Sequence, residues 1–138
     1  MSEFQIPDDF TCDDDGFRFV THIGPIYRRY VDGKLTAAAI LVEQKHVNLR
    51  GVVHGGMMVS LADHALSRIV ADAANKQPCT TISLNTDFIA GARLGDWIVA
   101  TGEVTKLTRS LVFIRGRVMA GDKLLMTASG VWKRLGAG

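Results

Sequence analysis

The stretch that decides the fold is Gly55–Asn75, with the sequence GGMMVSLADHALSRIVADAAN. Its apolar residues recur at helical spacing and cover almost the whole circumference when plotted at about 100° per residue. Only a narrow polar strip remains, made of His64, Arg68 and Asn75. Because a helix that is apolar nearly all round must be covered by other elements, this pattern predicts one long buried helix.

Strand-like runs flank the helix on both sides. Two precede it, Ile26–Val31 and Lys34–Val42, and Asp32-Gly33 between them is a strong signal for a two-residue hairpin turn. Four more follow Pro78, over about 80–90, 97–107, 111–120 and 123–133. Their short connections predict antiparallel neighbours in a meander. The predicted fold class is therefore α+β, with a curved antiparallel sheet of about six strands wrapped round the helix.

Length and composition limit the classes of function. With 138 residues, 47% of them hydrophobic, the chain fits a single domain over 1–138, whose residues 1–19 form a leading segment packed on the body. Charged residues make up 22%, with a net charge of +2 and no long block of one sign, so bulk charge gives no argument for nucleic acid. The N-terminus lacks the features of a secretory signal, and no apolar run approaches the roughly 18 residues of a membrane span. We therefore expect a cytoplasmic protein without a membrane or nucleic-acid partner.

Motifs for metal or serine chemistry are missing from the sequence. The four histidines show neither His-x-x-x-His nor His-Glu-x-x-His spacing, and the two cysteines form no Cys-x-x-Cys pair. There is no Gly-x-Ser-x-Gly elbow either. We expect no metal and no cofactor.

The stretch Asn48–Gly56, NLRGVVHGG, directly precedes the helix and carries the densest functional signal. Two glycines at a helix start let a ligand approach the backbone, where free N–H groups and the helix dipole attract negative charge. The oxyanion formed from a thioester carbonyl would suit that position.

Asp63 lies two turns into the helix, on an apolar face rather than on the polar strip. Burial of a carboxylate is costly unless it is paired, and it raises the pKa toward values useful for a base or nucleophile. From the pattern alone, a structural Asp63 bonded to a neighbouring strand is equally consistent, and His-Gly-Gly also occurs at ordinary loop-to-helix junctions.

Taken together, Asn-x-x-Gly-x-x-His-Gly-Gly-x(4)-Leu-Ala-Asp resembles the active-site signature of hotdog-fold acyl-CoA thioesterases. The similarity is to the phenylacetate-degradation-type branch of the 4-hydroxybenzoyl-CoA thioesterase-like superfamily. It continues through Thr80–Phe88 (TTISLNTDF) and Ala92–Asp96 (ARLGD), and covers most of the chain from about Gly24 to Trp132. The resemblance implies a hotdog fold and hydrolysis of acyl- or aryl-CoA to free acid and CoA.

The resemblance also implies a catalytic role for each matched residue. Asp63 would act as nucleophile or as general base for water, and the Gly55 amide would polarise the thioester carbonyl. Asn48 would orient the water or the carbonyl, with His54 beside the same carbonyl. Thr81 holds the place of a hydroxyl residue that positions the water, where Ser is also seen.

Substrate contacts are implied in the same way. Basic residues near the pocket mouth would meet the CoA phosphates, with Arg93 and Arg109 as candidates, although ordinary surface charges are equally consistent. The acyl pocket would be lined by Gly56, Met57, Val59 and Ser60. Proteins of this family build each site from two subunits, with the Asn and His-Gly-Gly loop on one chain and the helix carboxylate on the other. We therefore expect a homo-oligomer, either a dimer or a dimer of dimers (a homotetramer).

Two other classes of function stay open at this stage. A non-catalytic acyl-CoA binding or sensing module would share the fold, although a sensor has no use for a poised carboxylate. A purely structural assembly protein would neither bind nor hydrolyse a thioester. A hotdog dehydratase is disfavoured, because it needs a catalytic His about five residues after its Asp, whereas Asp63 and His64 are adjacent and point about 100° apart.

Overall fold

The long helix and the strands on either side of it appear where the sequence predicts them. The computed structural model describes residues 3–12 and 18–136. Its elements are β1 Thr11–Cys12, α1 Phe19–Ile23, β2 Tyr27–Val31, β3 Lys34–Leu41, a 3-10 turn Gln44–His46, α2 Gly55–Ala73, β4 Cys79–Phe88, β5 Trp97–Leu107, β6 Leu111–Ala120 and β7 Lys123–Arg134. Asp32 and Gly33 join β2 to β3 with φ of 53° and 77°, the left-handed pair that a tight hairpin turn requires.

The described strands form one antiparallel sheet in the order β1-β2-β3-β5-β6-β7-β4. Helix α2 packs against one face of this sheet and contacts most closely β3 and β5. The predicted α+β hotdog architecture is confirmed. All six expected strands are present, and the two-residue β1 adds a short seventh from the leading segment.

The predicted meander holds for β5, β6 and β7 but is wrong for β4. That strand pairs with β7, from Cys79 opposite Arg134 to Phe88 opposite Met126, and residues 89–96 cross from it to β5. An eight-residue connection is long enough for such a crossing, and apolar patterning does not specify which strand becomes the partner. As a result β4 lies at the edge of the sheet, with β7 as its single neighbour among the described strands.

A notch in the sheet lets α2 approach closely. Gly102 and Gly116 face each other in β5 and β6, and the side chain of Leu66 lies over both. A Cβ built on Gly116 would lie 2.8 Å from Leu66 Cδ2 and 2.7 Å from the Thr101 carbonyl oxygen, closer than real contacts allow. We call Gly102 and Gly116 the glycine notch, and Leu66 fills it from the helix side.

Residues 3–12 of the leading segment pack on the opposite face of the sheet. The ring of Phe10 meets Trp97 edge to face with centroids 5.3 Å apart, a favourable aromatic geometry. Phe10 is buried together with Ala37 and Ala39 of β3. Neither described helix combines the length and the apolarity that crossing a membrane requires.

Candidate active site

The N-terminus of α2 presents one unused backbone donor. His54 caps the helix, and its Nδ1 accepts the Gly56 N–H at 3.1 Å. The His54 carbonyl oxygen accepts the N–H groups of Met57 and Met58 at 2.9 and 3.3 Å. The Gly55 N–H has no acceptor among residues 3–12 and 18–136. It is therefore available to a ligand, at the end of the helix where the dipole favours negative charge.

Asn48 closes the loop that precedes the helix. Its side-chain oxygen accepts the N–H groups of Arg50 and Val52 at 2.9 and 3.2 Å, and its own N–H donates to the Val52 carbonyl at 2.7 Å. Since both side-chain partners are donors, the accepting atom must be Oδ1, which leaves the amide nitrogen as a donor. A cavity of about 320 Å³ is lined by Asn48, Gly55, Phe88 and neighbouring residues. We call Asn48, His54 and Gly55 the loop half-site.

Asp63 pairs with the hydroxyl of the first strand after the helix. Thr81 Oγ1 donates to Asp63 Oδ1 at 3.0 Å, so the two predicted site residues are in direct contact. We call them the carboxylate half-site. In the single chain, however, Asp63 is only half-buried, as are Val59 and Ser60 on the same flank of α2.

The expectation that α2 is covered all round is therefore corrected. The sheet covers one side of the helix. Strand β4, which among residues 3–12 and 18–136 pairs with β7 alone, does not close over the Asp63 flank. The buried carboxylate of α2 is instead Asp72, which is 8% exposed. It accepts the Leu35 N–H and the Lys76 ammonium, both at 2.7 Å.

The two half-sites are separate within one chain. Asp63 comes eight residues after Gly55, which at 1.5 Å per residue places it about 12 Å further along the helix axis. Asp63 does not line the cavity beside Gly55. The reacting atoms of a thioester span only a few ångströms. The two half-sites of one chain are therefore too far apart to contact the same carbonyl.

Three basic side chains surround a second cavity next to the loop half-site. Arg50, Arg93 and Lys123 line about 430 Å³, and this cavity shares Arg50, Val52 and Gly91 with the first one. None of the three basic groups forms an ion pair with a carboxylate in the part of the chain that the structure describes. Lys123 Nζ donates to the Gly91 carbonyl at 2.8 Å. We call these three residues the basic cluster.

Comparison with known proteins identifies the family. Residues 50–127, more than half of the chain, match the family model described as "Thioesterase superfamily". The chain belongs to the thioesterase superfamily. It is 34% identical to the Pseudomonas aeruginosa protein named "Putative esterase PA0474" over 80% of this chain and 83% of that one. The expected recognition and the expected class of enzyme, a thioester hydrolase, are thereby confirmed.

Two further relatives show how far the similarity extends. Human acyl-coenzyme A thioesterase 13 is 31% identical over 52% of this chain, and the match spans about half (51%) of the human protein. The structure of a mutant of the phenylacetic acid degradation protein PaaI from Thermus thermophilus superimposes with a TM-score of 0.76. It is 24% identical and covers 85% of this chain and 98% of its own, so it supports the shared fold.

The other residues predicted to contact substrate in this thioesterase-superfamily chain do not all lie near the two half-sites. Gly56 is exposed beside the loop half-site, whereas Met57 is buried in the core. Ser60 Oγ donates to the Gly56 carbonyl at 2.8 Å. Arg109 lies in the turn after β5, and Arg93 precedes that strand, so the length of β5, about 35 Å, separates them. They cannot contact the same ligand in one chain.

Sequence reasoning missed Arg50 and Lys123 as neighbours of Arg93. Arg50 occupies a variable position of the Asn48–Gly56 motif, and Lys123 starts β7, so only the crossing of residues 89–96 brings them together. Among the described residues, no group of three or more His, Cys, Asp or Glu side chains is placed to hold a metal ion.

Proposed function

We propose that the protein hydrolyses acyl- or aryl-CoA thioesters to the free acid and CoA, in a site formed by the loop half-site of one chain and the carboxylate half-site of another. The observation that carries this proposal is the unused Gly55 N–H at a helix N-terminus, lining a cavity with Asn48. It is the donor that a thioester oxyanion needs. The family match supports the reaction class.

In the proposed mechanism the thioester carbonyl oxygen accepts the Gly55 N–H, and the Asn48 amide nitrogen donates to the same oxygen or to the attacking water. Asp63 takes a proton from water as the water oxygen attacks the carbonyl carbon. Thr81 donates to Oδ1 of Asp63 and so leaves Oδ2 for that proton. The C–S bond then breaks, and the leaving CoA thiolate takes the proton that Asp63 accepted from the water. Direct attack by Asp63 is the alternative route, through an anhydride that water cleaves. Either route uses protein groups and water alone, without metal or cofactor.

A second copy of the chain supplies the missing half of each site. The edge strand β4 carries exposed apolar side chains, Ile82 at 56% and Phe88 at 55% exposure, and an edge of this kind pairs readily with another strand. Pairing about a two-fold axis would lay the two α2 helices antiparallel. Val59 is midway between Gly55 and Asp63. A two-fold axis near Val59 would therefore place Gly55 of each chain beside Asp63 of the other and so form two complete sites. We propose this dimer, alone or within a dimer of dimers.

The basic cluster would hold the phosphates of CoA. Its three cations lack carboxylate partners among the described residues, and its cavity shares Arg50, Val52 and Gly91 with the one that Gly55 lines. Arg binds phosphate oxygens through paired N–H groups, and Lys as a point charge. In this arrangement the pantetheine arm would run from the basic cluster toward the loop half-site.

The test is release of the CoA thiol, followed with a thiol reagent across aryl, short, medium and long acyl-CoAs. We expect turnover by the wild-type protein and a kcat lower by about 10²- to 10⁴-fold in Asp63→Asn, which keeps the shape but removes the base. Asp72→Asn is the matched control, because Asp72 is the other carboxylate of α2 and lies away from the site. This variant should keep the wild-type kcat. Tight acyl-CoA binding without turnover by the wild type would instead indicate a sensing module.

A further inference from the structure

His46 is a buried histidine that the proposed mechanism does not use. It is 3% exposed, and both ring nitrogens have hydrogen bonds. Nδ1 accepts the Glu43 N–H at 2.9 Å, and Nε2 lies 2.6 Å from the Ile23 carbonyl oxygen. Since the first partner is a donor and the second an acceptor, the ring must be neutral with its proton on Nε2.

The bonds of His46 connect three parts of the chain. Its ring joins the C-terminal residue of α1, Ile23, to the start of the 3-10 turn, and the Glu43 side chain accepts the His46 N–H in return. Its carbonyl oxygen accepts the His54 N–H at 2.8 Å. The next residue, Val47, forms an antiparallel bridge with Val53. His46 therefore anchors both ends of the loop that carries Asn48, His54 and the approach to Gly55.

We propose that His46 is a positioning residue for the loop half-site. It fixes the main chain of residues 46–54, and through the His54 N–H it fixes the direction in which the Gly55 N–H points. This inference rests on the proposed function. It assigns a role in the reaction to a side chain that touches no substrate.

The geometry explains why a small movement at His46 matters for rate. The donor of an oxyanion hole acts only when it is aimed at the position of the developing charge. The ring of His46 is the only side chain in the described residues that accepts the Glu43 N–H and reaches the Ile23 carbonyl. Its loss would let the 3-10 turn separate from α1 and shift the His54 backbone.

Lys123 of the basic cluster lies outside this loop, and Arg93 is bridged to Val52 of the loop but belongs to the crossing segment 89–96. Binding of the CoA phosphates should therefore depend less on His46 than the chemical step does. This difference separates a positioning role from a general loss of structure.

The experiment compares His46→Ala with His46→Asn and His46→Gln. Asn can place an acceptor near the position of Nδ1, and Gln can place a donor near that of Nε2, so each keeps one of the two bonds. We expect kcat to fall about a hundredfold in His46→Ala and less in the other two, because a misplacement of about 1 Å can cost that factor. KM should change by no more than about threefold, as for an interaction made only in the transition state.

Asp72→Asn serves as the matched control, because Asp72 is also a buried polar residue that binds a backbone N–H, about 26 Å along α2 from Gly55. Amide hydrogen exchange gives a readout independent of activity. The His54 and Glu43 amides should exchange faster in His46→Ala while the Leu35 amide does not. Asp72→Asn should show the reverse.

A folded His46→Ala with the kcat of Asp72→Asn would overturn the inference, and so would unchanged exchange at His54. If His46→Ala does not fold, the Asn and Gln variants decide, and wild-type kcat in both would overturn it. If the wild-type protein hydrolyses no thioester, the proposed function fails, whereas faster exchange at His54 would still support the positioning of the loop.

Discussion

Two variants that are each inactive should together recover activity if the site is shared between chains. Asn48→Ala damages the loop half-site of its own chain, and Asp63→Ala removes the carboxylate half-site of its own chain. Because about 12 Å of helix separates Gly55 from Asp63, each proposed site combines halves from different chains. In a mixed dimer one site then carries both defects and the other carries none.

The size of the recovery follows from this geometry. Equal amounts of the two variants, after full exchange, give mixed dimers as about half of the total, each with one intact site of two. The mixture should therefore reach about a quarter of the wild-type kcat per chain. Thiol release measures the activity, and native mass spectrometry of a size-tagged variant measures the exchange.

Two controls make the result decisive. Asn48→Asp keeps the oxygen that accepts the Arg50 and Val52 N–H groups but removes the amide donor, so it tests the donor without opening the loop. Mixing Asp63→Ala with a tagged copy of itself should give no recovery. If a single chain held a whole site, every chain in a mixed dimer would be defective. Proven exchange without recovery would therefore refute the shared site.

Three further predictions concern stability and binding. Asp72→Asn should lower the free energy of unfolding by about 1.5–3 kcal/mol, because a charge-assisted bond to the buried Leu35 N–H is weakened. Burial raises the pKa of Asp72, but the hydrogen bonds from Lys76 and the Leu35 N–H, with nearby positive charge, outweigh it and hold the pKa below its ordinary value of 3.8. A carboxyl whose pKa is lower in the folded state stabilises the protein fully at pH values above its unfolded pKa, and this stabilisation is lost as the pH falls. In urea unfolding, the difference between the wild type and Asp72→Asn should therefore stay constant above pH 3.8 and shrink below it. Gly116→Ala should destabilise the protein by about 1–3 kcal/mol in the same assay, because its Cβ would lie 2.7 Å from the Thr101 carbonyl, and a neutral effect would contradict the close approach of helix and sheet. The KM for acyl-CoA should rise with salt concentration, and this slope should flatten when the basic cluster is neutralised to Gln, since screened phosphate contacts weaken with ionic strength.

Local patterns predicted the elements of this fold well. The apolar periodicity from Gly55 onward gave the start of α2 correctly and its end within two residues. Asp32-Gly33 gave the first hairpin, because a two-residue turn with two left-handed residues has few sequences that fit. The family pattern singled out both Asp63 and Thr81, but it did not predict the hydrogen bond between them.

Long-range relations were harder to predict. The position of β4 beside β7 depends on which sheet edge the crossing chain meets, and hydrophobic patterning carries no such information. Asp63 was expected to be covered because the helix is apolar nearly all round, yet in one chain that flank is open. An apolar pattern predicts that a helix face is covered, but it does not indicate whether the same chain or another one covers it. His46 gave no signal either, since the two partners of its ring, the Glu43 N–H and the Ile23 carbonyl, are backbone groups.

The glycine notch also determines where the candidate catalytic carboxylate faces. Leu66 is held in the notch, and Asp63, three residues earlier, lies about 60° round the helix from it. The space left by the two glycines thus holds Leu66 in place and fixes both the rotation of α2 about its axis and its distance from the sheet. If the proposed acyl pocket lies on the exposed flank of the helix, substitutions there should change which acyl groups fit without turning Asp63. The double variant Gly102→Ala with Leu66→Ala would add one carbon to the sheet and remove three from the helix, so it would leave a cavity and free α2 to rotate. We therefore expect it to lose both stability and the fixed orientation of Asp63.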